Sequence, residues 1–289
     1  MNKGETLGLV GESGCGKSVT AFSVLRLINP PGRIESGEIF YKGKNILLLP
    51  ENEIMAVRGR HISMIFQEPM TSLNPVFTIG YQISSAVSLH LNIRKKEAKE
   101  MAVDLLNQVG IPVPSARYYA YPHELSGGMK QRVMIALALC AGPDVLIADE
   151  PTTALDTTIQ SQILDLLLRI QSDRRTSLLL ISHDLGIIAN TADYVAVMYA
   201  GEIVEYARVS QIYGNPKHPY TKGLFESVLH TGAKRGKLNT IPGAVPAITK
   251  KPDSCVFYPR CSLKSRECTE REISLDKTDD EHFVRCIRL

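Results

Sequence analysis

Two short stretches hold most of the residues able to do chemistry. "GESGCGKS", Gly11 to Ser18, meets the pattern G-x-x-x-x-G-K-[ST] at every fixed position. Glycines at that spacing let backbone N–H groups curl around an anion, and a lysine and a hydroxyl follow at the start of a helix. Lys17 is suited to the β- and γ-oxygens of a nucleotide and Ser18 to Mg²⁺. Cys15, inside the loop, is a small tolerated residue, although a place near a helix N-terminus can lower a thiol's pKa. "ELSGGMKQR", Glu124 to Arg132, puts a serine and two glycines before a second, basic helix, again presenting free N–H groups to an anion. The two devices lie more than a hundred residues apart, which poses the question of why one chain needs both.

Acids complete the set. "VLIADE" ends an apolar run with Asp149 and Glu150. An acid at that place beside a phosphate loop holds Mg²⁺ through water. The second acid either orients and deprotonates the attacking water or caps the next segment. His183, in "SHD" after the next apolar run, either reaches the γ-phosphate or is structural. No N-K-x-D segment reads guanine, and no small-molecule acceptor site suggests a kinase.

The elements that must position these residues follow from hydrophobic period. "TLGLVG" is a strand entering the glycine loop, and "KSVTAFSVLRLI" has helical spacing. "GEIFYKGKNIL" alternates like an exposed hairpin with Gly43 near its turn. Ala98, Ala102, Leu105, Leu106 and Val109 repeat at helical intervals, and Gly110 supplies a stop. "PDVLIADEP" and "SLLLIS" are buried strands around the helix "SQILDLLLRIQ", and "DYVAVMYAGEIVEYA" gives two strands turning at Gly201. Strand and helix alternate, so the expected fold is α/β, a mainly parallel sheet covered by helices.

Composition sets bounds. The 289 residues are 44% hydrophobic with a net charge of +3, enough for a full core and too mildly basic to demand nucleic acid. No run of about eighteen apolar residues suggests a membrane span, and the start lacks the features of a secretory signal. The chain is therefore expected to be intracellular, with its six cysteines as free thiols. Near residue 207 the composition turns to Pro, Gly and Lys. We place a boundary there, with a nucleotide-binding domain at 1–207 and a small, irregular, Cys-rich extension at 208–289.

Four cysteines gather in that extension: Cys255, Cys261, Cys268 and Cys286, spaced Cys-x5-Cys-x6-Cys-x17-Cys. Four thiolates in a weakly cored tail suit a soft metal. The absence of a close C-x2–4-C pair favours an iron–sulfur cluster, [4Fe-4S], over Zn²⁺ or no metal. Lys250, Lys251, Arg260, Lys264 and Arg266 surround it, either offsetting a cluster's charge or forming a solvated basic face.

In order, "GESGCGKS", Gln67 in "MIFQEP", "LSGGMKQR", "VLIADEP", "TALD" and His183 resemble the elements of ABC-type ATPases. The resemblance spans residues 4 to about 205 and implies a P-loop NTPase core with a helical signature subdomain. It also answers the question of two anion sites. In that family two ATPase domains pack head to tail, and each ATP lies between one chain's P-loop and the other's signature. On that resemblance Gly11, Ser13, Gly14, Cys15, Gly16, Lys17, Ser18 and Val19 hold ATP, while Ser18, Gln67 and Asp149 serve Mg²⁺. Leu125, Ser126, Gly127, Gly128 and Met129 bind ATP in trans. Glu150 becomes the general base, with Gln67 sensing the metal or the attacking water and His183 the γ-phosphate. Asp156 contacts the partner near its catalytic acid.

"FQEPMTSLNPVFTIG", "GNPKHPYTKGLFESV" and "IPGAVP" narrow the resemblance to ATPase subunits of bacterial dipeptide and oligopeptide importers. It implies two permease subunits docking near "EPMTSLNPVFTIG", a second ATPase that is either a different chain, the favoured reading, or a copy of this one, an extracytoplasmic solute-binding protein met indirectly, and a place on the cytoplasmic face of the membrane. Family members carry a longer segment before the P-loop strand, with an aromatic that stacks on adenine. Ten residues precede Gly11 here, so that aromatic is not expected in this sequence. The alternative class is a soluble ABC ATPase with a redox-sensing iron–sulfur module.

Overall fold

A computed structural model describes residues 1–68, 72–153, 155–228, 241–246 and 254–289. Residues 69–71 of the docking stretch, Ala154 of "TALD", Lys250 and Lys251 lie outside the described residues. In chain order the elements are β1 (Thr6–Val10), α1 (Lys17–Val24), β2 (Phe40–Tyr41), β3 (Lys44–Asn45), α2 (Glu51–Val57) and β4 (Ile62–Ile65). There follow α3 (Ile79–Leu91), α4 (Lys95–Gln108), α5 (Pro114–Arg117), α6 (Gly127–Leu139), β5 (Val145–Asp149), α7 (Thr157–Arg174) and β6 (Ser177–Ser182). The last are α8 (Leu185–Thr191), β7 (Tyr194–Tyr199), β8 (Glu202–Arg208), α9 (Val209–Gly214), α10 (Pro219–Val228), β9 (Asp276–Asp279) and β10 (His282–Val284). Contacts divide the chain into two compact units: Met1–Glu5 with Ala21–Leu179, and Thr6–Thr20 with Leu180–Leu289.

In the first unit β4 and β5 pair in parallel, from Ile62 opposite Val145 to Ile65 opposite Ala148. All of β4, and β5 from Leu146 onward, is buried, which is why both read as unbroken apolar runs. Helices α3, α4 and α6 pack on one another, as a helical subdomain should. Ile79, Ile83 and Val87 bury one face of α3, and Ala98, Ala102, Leu105 and Leu106 one face of α4. The Thr78 hydroxyl caps α3 by accepting from Tyr81 N–H at 3.3 Å. The expected hairpin is present as β2 and β3, turning through Lys42 and Gly43 at φ 48° and 78°. Two residues of positive φ match the twist of a hairpin turn.

In the second unit the strands run β1-β7-β8-β10-β9. β1 and β7 are parallel, with Leu7 opposite Tyr194 and Val10 opposite Val197. β8 returns antiparallel through Ala200 and Gly201, both at positive φ. The sheet is thus mixed: parallel where β1 leads into the glycine loop and antiparallel beyond β7. The tail is less irregular than its composition implies. β10 pairs with β8, setting Phe283 opposite Tyr206, and β9 pairs with β10. "DKTD" has no apolar alternation, because β9 lies at a sheet edge and is mostly exposed, so no hydrophobic period announces it. Fully buried Glu205 ties the tail to β8, accepting from the backbone N–H groups of Lys217 (2.7 Å) and His218 (2.9 Å) and bonding His282 Nε2 at 2.7 Å. A carboxylate without water needs such a set of partners.

Candidate functional site

β1 runs straight into the glycine loop, and Gly11 is required where they meet. A Cβ there would lie 2.2 Å from the Met198 carbonyl oxygen on β7. Gly14 and Gly16 then take φ 81° and 111°, conformations that cost other residues strain and that turn successive N–H groups to one side. Lys17 opens α1 with its side chain buried. Its ammonium donates to the carbonyls of Gly11 (2.8 Å) and Glu12 (3.1 Å), so the loop closes on its own lysine. Ser13, Gly14 and Val19 are exposed and Ser18 half-buried, leaving that side open. At Cys15 burial outweighs any lowering by the helix start. Burial pushes its thiol up, against a smaller downward pull from Lys17.

In the first unit, strand register brings two predicted residues together. Gln67 stands two positions past Ile65, and Glu150 two past Ala148, the residue paired with Ile65. Both emerge at the same level beyond the sheet, and Gln67 Nε2 donates to Glu150 Oε2 at 3.1 Å. Thr153 Oγ1 donates to the same oxygen at 2.9 Å. Sequence reasoning missed Thr153; its only signal is a hydroxyl three residues after the acid, the spacing of a side-chain turn. Glu150 sits at φ 46°, a strained place for a non-glycine residue of the kind found at active sites. Asp149, the last residue of β5, is 1% exposed.

The second glycine device has the predicted form. Ser126 is the N-cap of α6, its hydroxyl accepting from Met129 N–H at 3.3 Å. The N–H groups of Gly127 and Gly128, in the first turn, have no carbonyl within the helix to receive them. Leu125 is buried beneath. Gly128 lies close to α7: a Cβ there would meet Ile159 Cγ2 at 2.9 Å, whereas one on Gly127 meets only Leu155 Cδ2 at 3.8 Å. Asp156 is the N-cap of α7, accepting from Ile159 N–H at 2.9 Å. In the second unit His183 is exposed just past β6, and Asp184 caps α8 through Gly186 N–H at 2.7 Å.

All six cysteines are free thiols. Cys255 N–H donates to the Cys268 carbonyl at 3.0 Å. Burial pushes the Cys255 thiol up to about 11, with Cys268, Cys286 and Cys261 each adding to the rise. Burial likewise raises Cys261, with Cys268 adding, and Cys286, with Cys261 and Cys268 adding. The four thiols therefore lie within electrostatic reach of one another. Among the described residues no three His, Cys, Asp or Glu side chains stand close enough to hold a metal ion as they are. The basic residues around them divide. Arg266 pairs with Glu270 in solvent and Lys264 lies over the Tyr258 ring, but Arg260 is no solvated charge. Its side chain is 7% exposed and pairs with Glu12 of the phosphate loop.

A glycine loop of the phosphate-binding pattern on a strand, an acid pair at the end of a parallel strand and a second glycine-rich, serine-capped helix start define a class: an ATP-hydrolysing cassette. Comparison with known proteins agrees. The model of the family described as ABC transporter matches residues 1–153, and that of "Oligopeptide/dipeptide transporter, C-terminal region" matches 204–268. The oligopeptide transport ATP-binding protein OppD of Bacillus subtilis is 50% identical over 288 residues, covering 99% of this chain and 80% of that protein. The dipeptide transport ATP-binding protein DppD of Escherichia coli is 43% identical, covering 99% and 88%. A dimeric structure of the ATP-binding cassette MJ0796 with ADP and Pi has the same fold, with a TM-score of 0.64 at 24% identity over 72% of this chain and 87% of that one. The chain belongs to the ABC transporter family, in the group that carries the oligopeptide/dipeptide transporter C-terminal region. It is an ATPase whose hydrolysis is coupled to transport. Among the described residues no helix is long and apolar enough to cross a membrane.

Proposed function

We propose that this chain powers an importer of short peptides, acting on the cytoplasmic face of the membrane beneath two permease subunits. The C-terminal family match and the names of OppD and DppD support the peptide assignment. The cassette comprises residues 1–207 and the importer-type extension 208–289. It works head to tail with a second ATPase, a related but different chain, and meets the solute-binding protein only through the permeases. Gly11, Ser13, Gly14, Cys15, Gly16 and Val19 shape the loop around the phosphates, and Lys17 leaves its carbonyls for the β- and γ-oxygens. The hydroxyl of Ser18, the amide of Gln67 and the buried carboxylate of Asp149 are hard oxygen donors suited to Mg²⁺, which supplies neutralising charge when bound. His183 contacts the γ-phosphate. Leu125 to Met129 present their helix start to ATP on the partner, and Asp156 stands beside the partner's catalytic acid.

The observation that carries this reading is the Glu150 carboxylate held between Gln67 and Thr153. Two donors on one oxygen fix the orientation of the carboxylate that is to take a proton from water. Glu150→Gln keeps the shape and removes the base, and a positioned base contributes about 10²–10⁴ in rate. ATP-dependent dimerisation should survive while turnover falls by about that factor. Turnover within twofold of the unmodified chain would end the assignment of Glu150.

Cys255, Cys261, Cys268 and Cys286 are proposed to hold a [4Fe-4S] cluster, with Zn²⁺ as the competing occupant. The all-thiol donor set and the mutual electrostatic reach of the four groups support it. The raised thiols of Cys255, Cys261 and Cys286 must release protons to bind a metal.

A further inference from the structure

Glu12, an unconstrained position of the glycine pattern, is the most heavily bonded residue of the phosphate loop. Its carbonyl accepts from Lys17 Nζ at 3.1 Å. Its backbone N–H donates to the Tyr220 hydroxyl at 2.9 Å. Its carboxylate takes both ends of the Arg260 fork, Nη1 to Oε2 at 2.6 Å and Nη2 to Oε1 at 3.1 Å. Two of these three attachments come from residues more than two hundred positions away, in the C-terminal segment of the same compact unit.

Both partners are themselves fixed. Arg260 Nε donates to the Pro242 carbonyl at 2.8 Å, and Nη2 reaches the carbonyls of Ile241 and Gly243 at 3.2 Å each. The guanidinium also lies over the Tyr199 ring at 5.7 Å. Tyr220 is fully buried between Tyr199 and Phe257, at ring separations of 4.7 and 5.4 Å, and its N–H donates to His218 Nδ1 at 3.0 Å. The His218-Pro219-Tyr220 element thus has a physical purpose: a buried histidine acceptor orients the tyrosine, and the tyrosine accepts the N–H of Glu12.

This geometry matters because a free carboxylate in a phosphate loop opposes a polyphosphate. A bidentate guanidinium cancels that charge and holds the loop in one shape, and a loop that is competent only part of the time binds more weakly by that fraction. We propose that Arg260 and Tyr220 are positioning residues for ATP binding, which act through Glu12 to set the charge and conformation of the phosphate loop. The C-terminal segment is then part of the nucleotide site without touching nucleotide. The inference requires only that the loop binds ATP, and it is independent of the cargo and of what the cysteines hold.

The test is ATP affinity of the full chain, measured by titration and by the split between KM and kcat. Arg260→Gln should raise Kd and KM about tenfold or more, while kcat changes less than threefold. Arg260→Lys keeps the charge and buried stem but loses the fork, and should raise Kd about threefold. Adding Glu12→Gln to Arg260→Gln should restore most of the affinity, because no carboxylate is left uncompensated. Tyr220→Phe, which removes only the acceptor of the Glu12 N–H, should raise Kd two- to fivefold. If Arg260→Gln fails to fold, Arg260→Lys and Tyr220→Phe decide the matter alone. Unchanged Kd in the folded variants, or a Tm loss with Kd intact, would reduce these contacts to scaffolding. A double variant as weak as the single would equally overturn the charge argument.

Discussion

The paired glycines of α6 separate stability from function in a way that can be measured. Gly128→Ala puts a methyl 2.9 Å from Ile159 Cγ2, well inside the ~3.5 Å optimum for carbon contacts. That carbon is fixed to the Ile159 β-carbon in the first turn of α7, so relief needs a rotamer change or a shift of one helix start. Overpacking of this kind costs about 1–3 kcal/mol. The better helix propensity of alanine returns up to ~1 kcal/mol, leaving a net loss of roughly 0–2 kcal/mol. Gly127→Ala meets nothing nearer than Leu155 Cδ2 at 3.8 Å, so it keeps the propensity gain and should be neutral or slightly stabilising. Activity should follow a different order. Gly127 is exposed, and on the proposed role of this helix start its added methyl stands where a partner's phosphate approaches the N–H groups, so hydrolysis should fall at least tenfold despite an intact fold. Urea unfolding followed by circular dichroism gives the first quantity and phosphate release the second. Ile159→Ala in the Gly128→Ala background should recover about 1 kcal/mol, because it removes the opposing carbon. Full hydrolysis by Gly127→Ala would refute anion binding at this helix start. A Gly128→Ala loss that Ile159→Ala does not relieve would refute the packing argument.

Two further outcomes follow from the tail. Burial holds His218 neutral, with its pKa lowered to about 3, below the unfolded value of about 6.5. The unfolded chain therefore binds a proton the folded chain does not, and stability falls as pH drops through that window. The loss should be about 1.4 kcal/mol between roughly pH 7.5 and 5.5, and His218→Gln should abolish that slope in urea melts. Anaerobic purification should yield about four irons per chain with matching acid-labile sulfide and a broad visible absorption. One zinc without sulfide would replace the cluster by a structural clip, and neither metal would leave the thiols unliganded.

Legibility in the sequence tracked the range of the interactions involved. The glycine loop, "VLIADE" and the start at Ser126 were readable because strand, turn and cap are each specified within a few residues. Even the meeting of Gln67 with Glu150 is a short inference once β4 and β5 are placed in register. The Glu12–Arg260 pair was not readable. An arginine between two cysteines looks like surface charge until the fold returns it to the first dozen residues. Gly128 was assigned to anion binding alone, since nothing in "SGGMKQR" announces Ile159. For Cys15, read as a small tolerated loop residue, the lowering that a helix start can bring is outweighed by desolvation of a buried thiol, which the local sequence does not announce.

The closure of residues 6–20 onto residues 180–289 bears on how the protein is made. Synthesis delivers the phosphate loop well before β7, which pairs with β1, and later still the two side chains on Glu12. Glu12 and Arg260 are 248 residues apart, which at roughly 5–20 residues per second is a wait of roughly 12–50 s. Through that interval the nascent chain carries a glycine loop without its Arg260 clasp. A polypeptide interrupted after His183 would contain every motif by which such ATPases are recognised, and still lack the parts that order the loop. On the proposed role of Arg260 and Tyr220, such a fragment would bind ATP more weakly than the full chain.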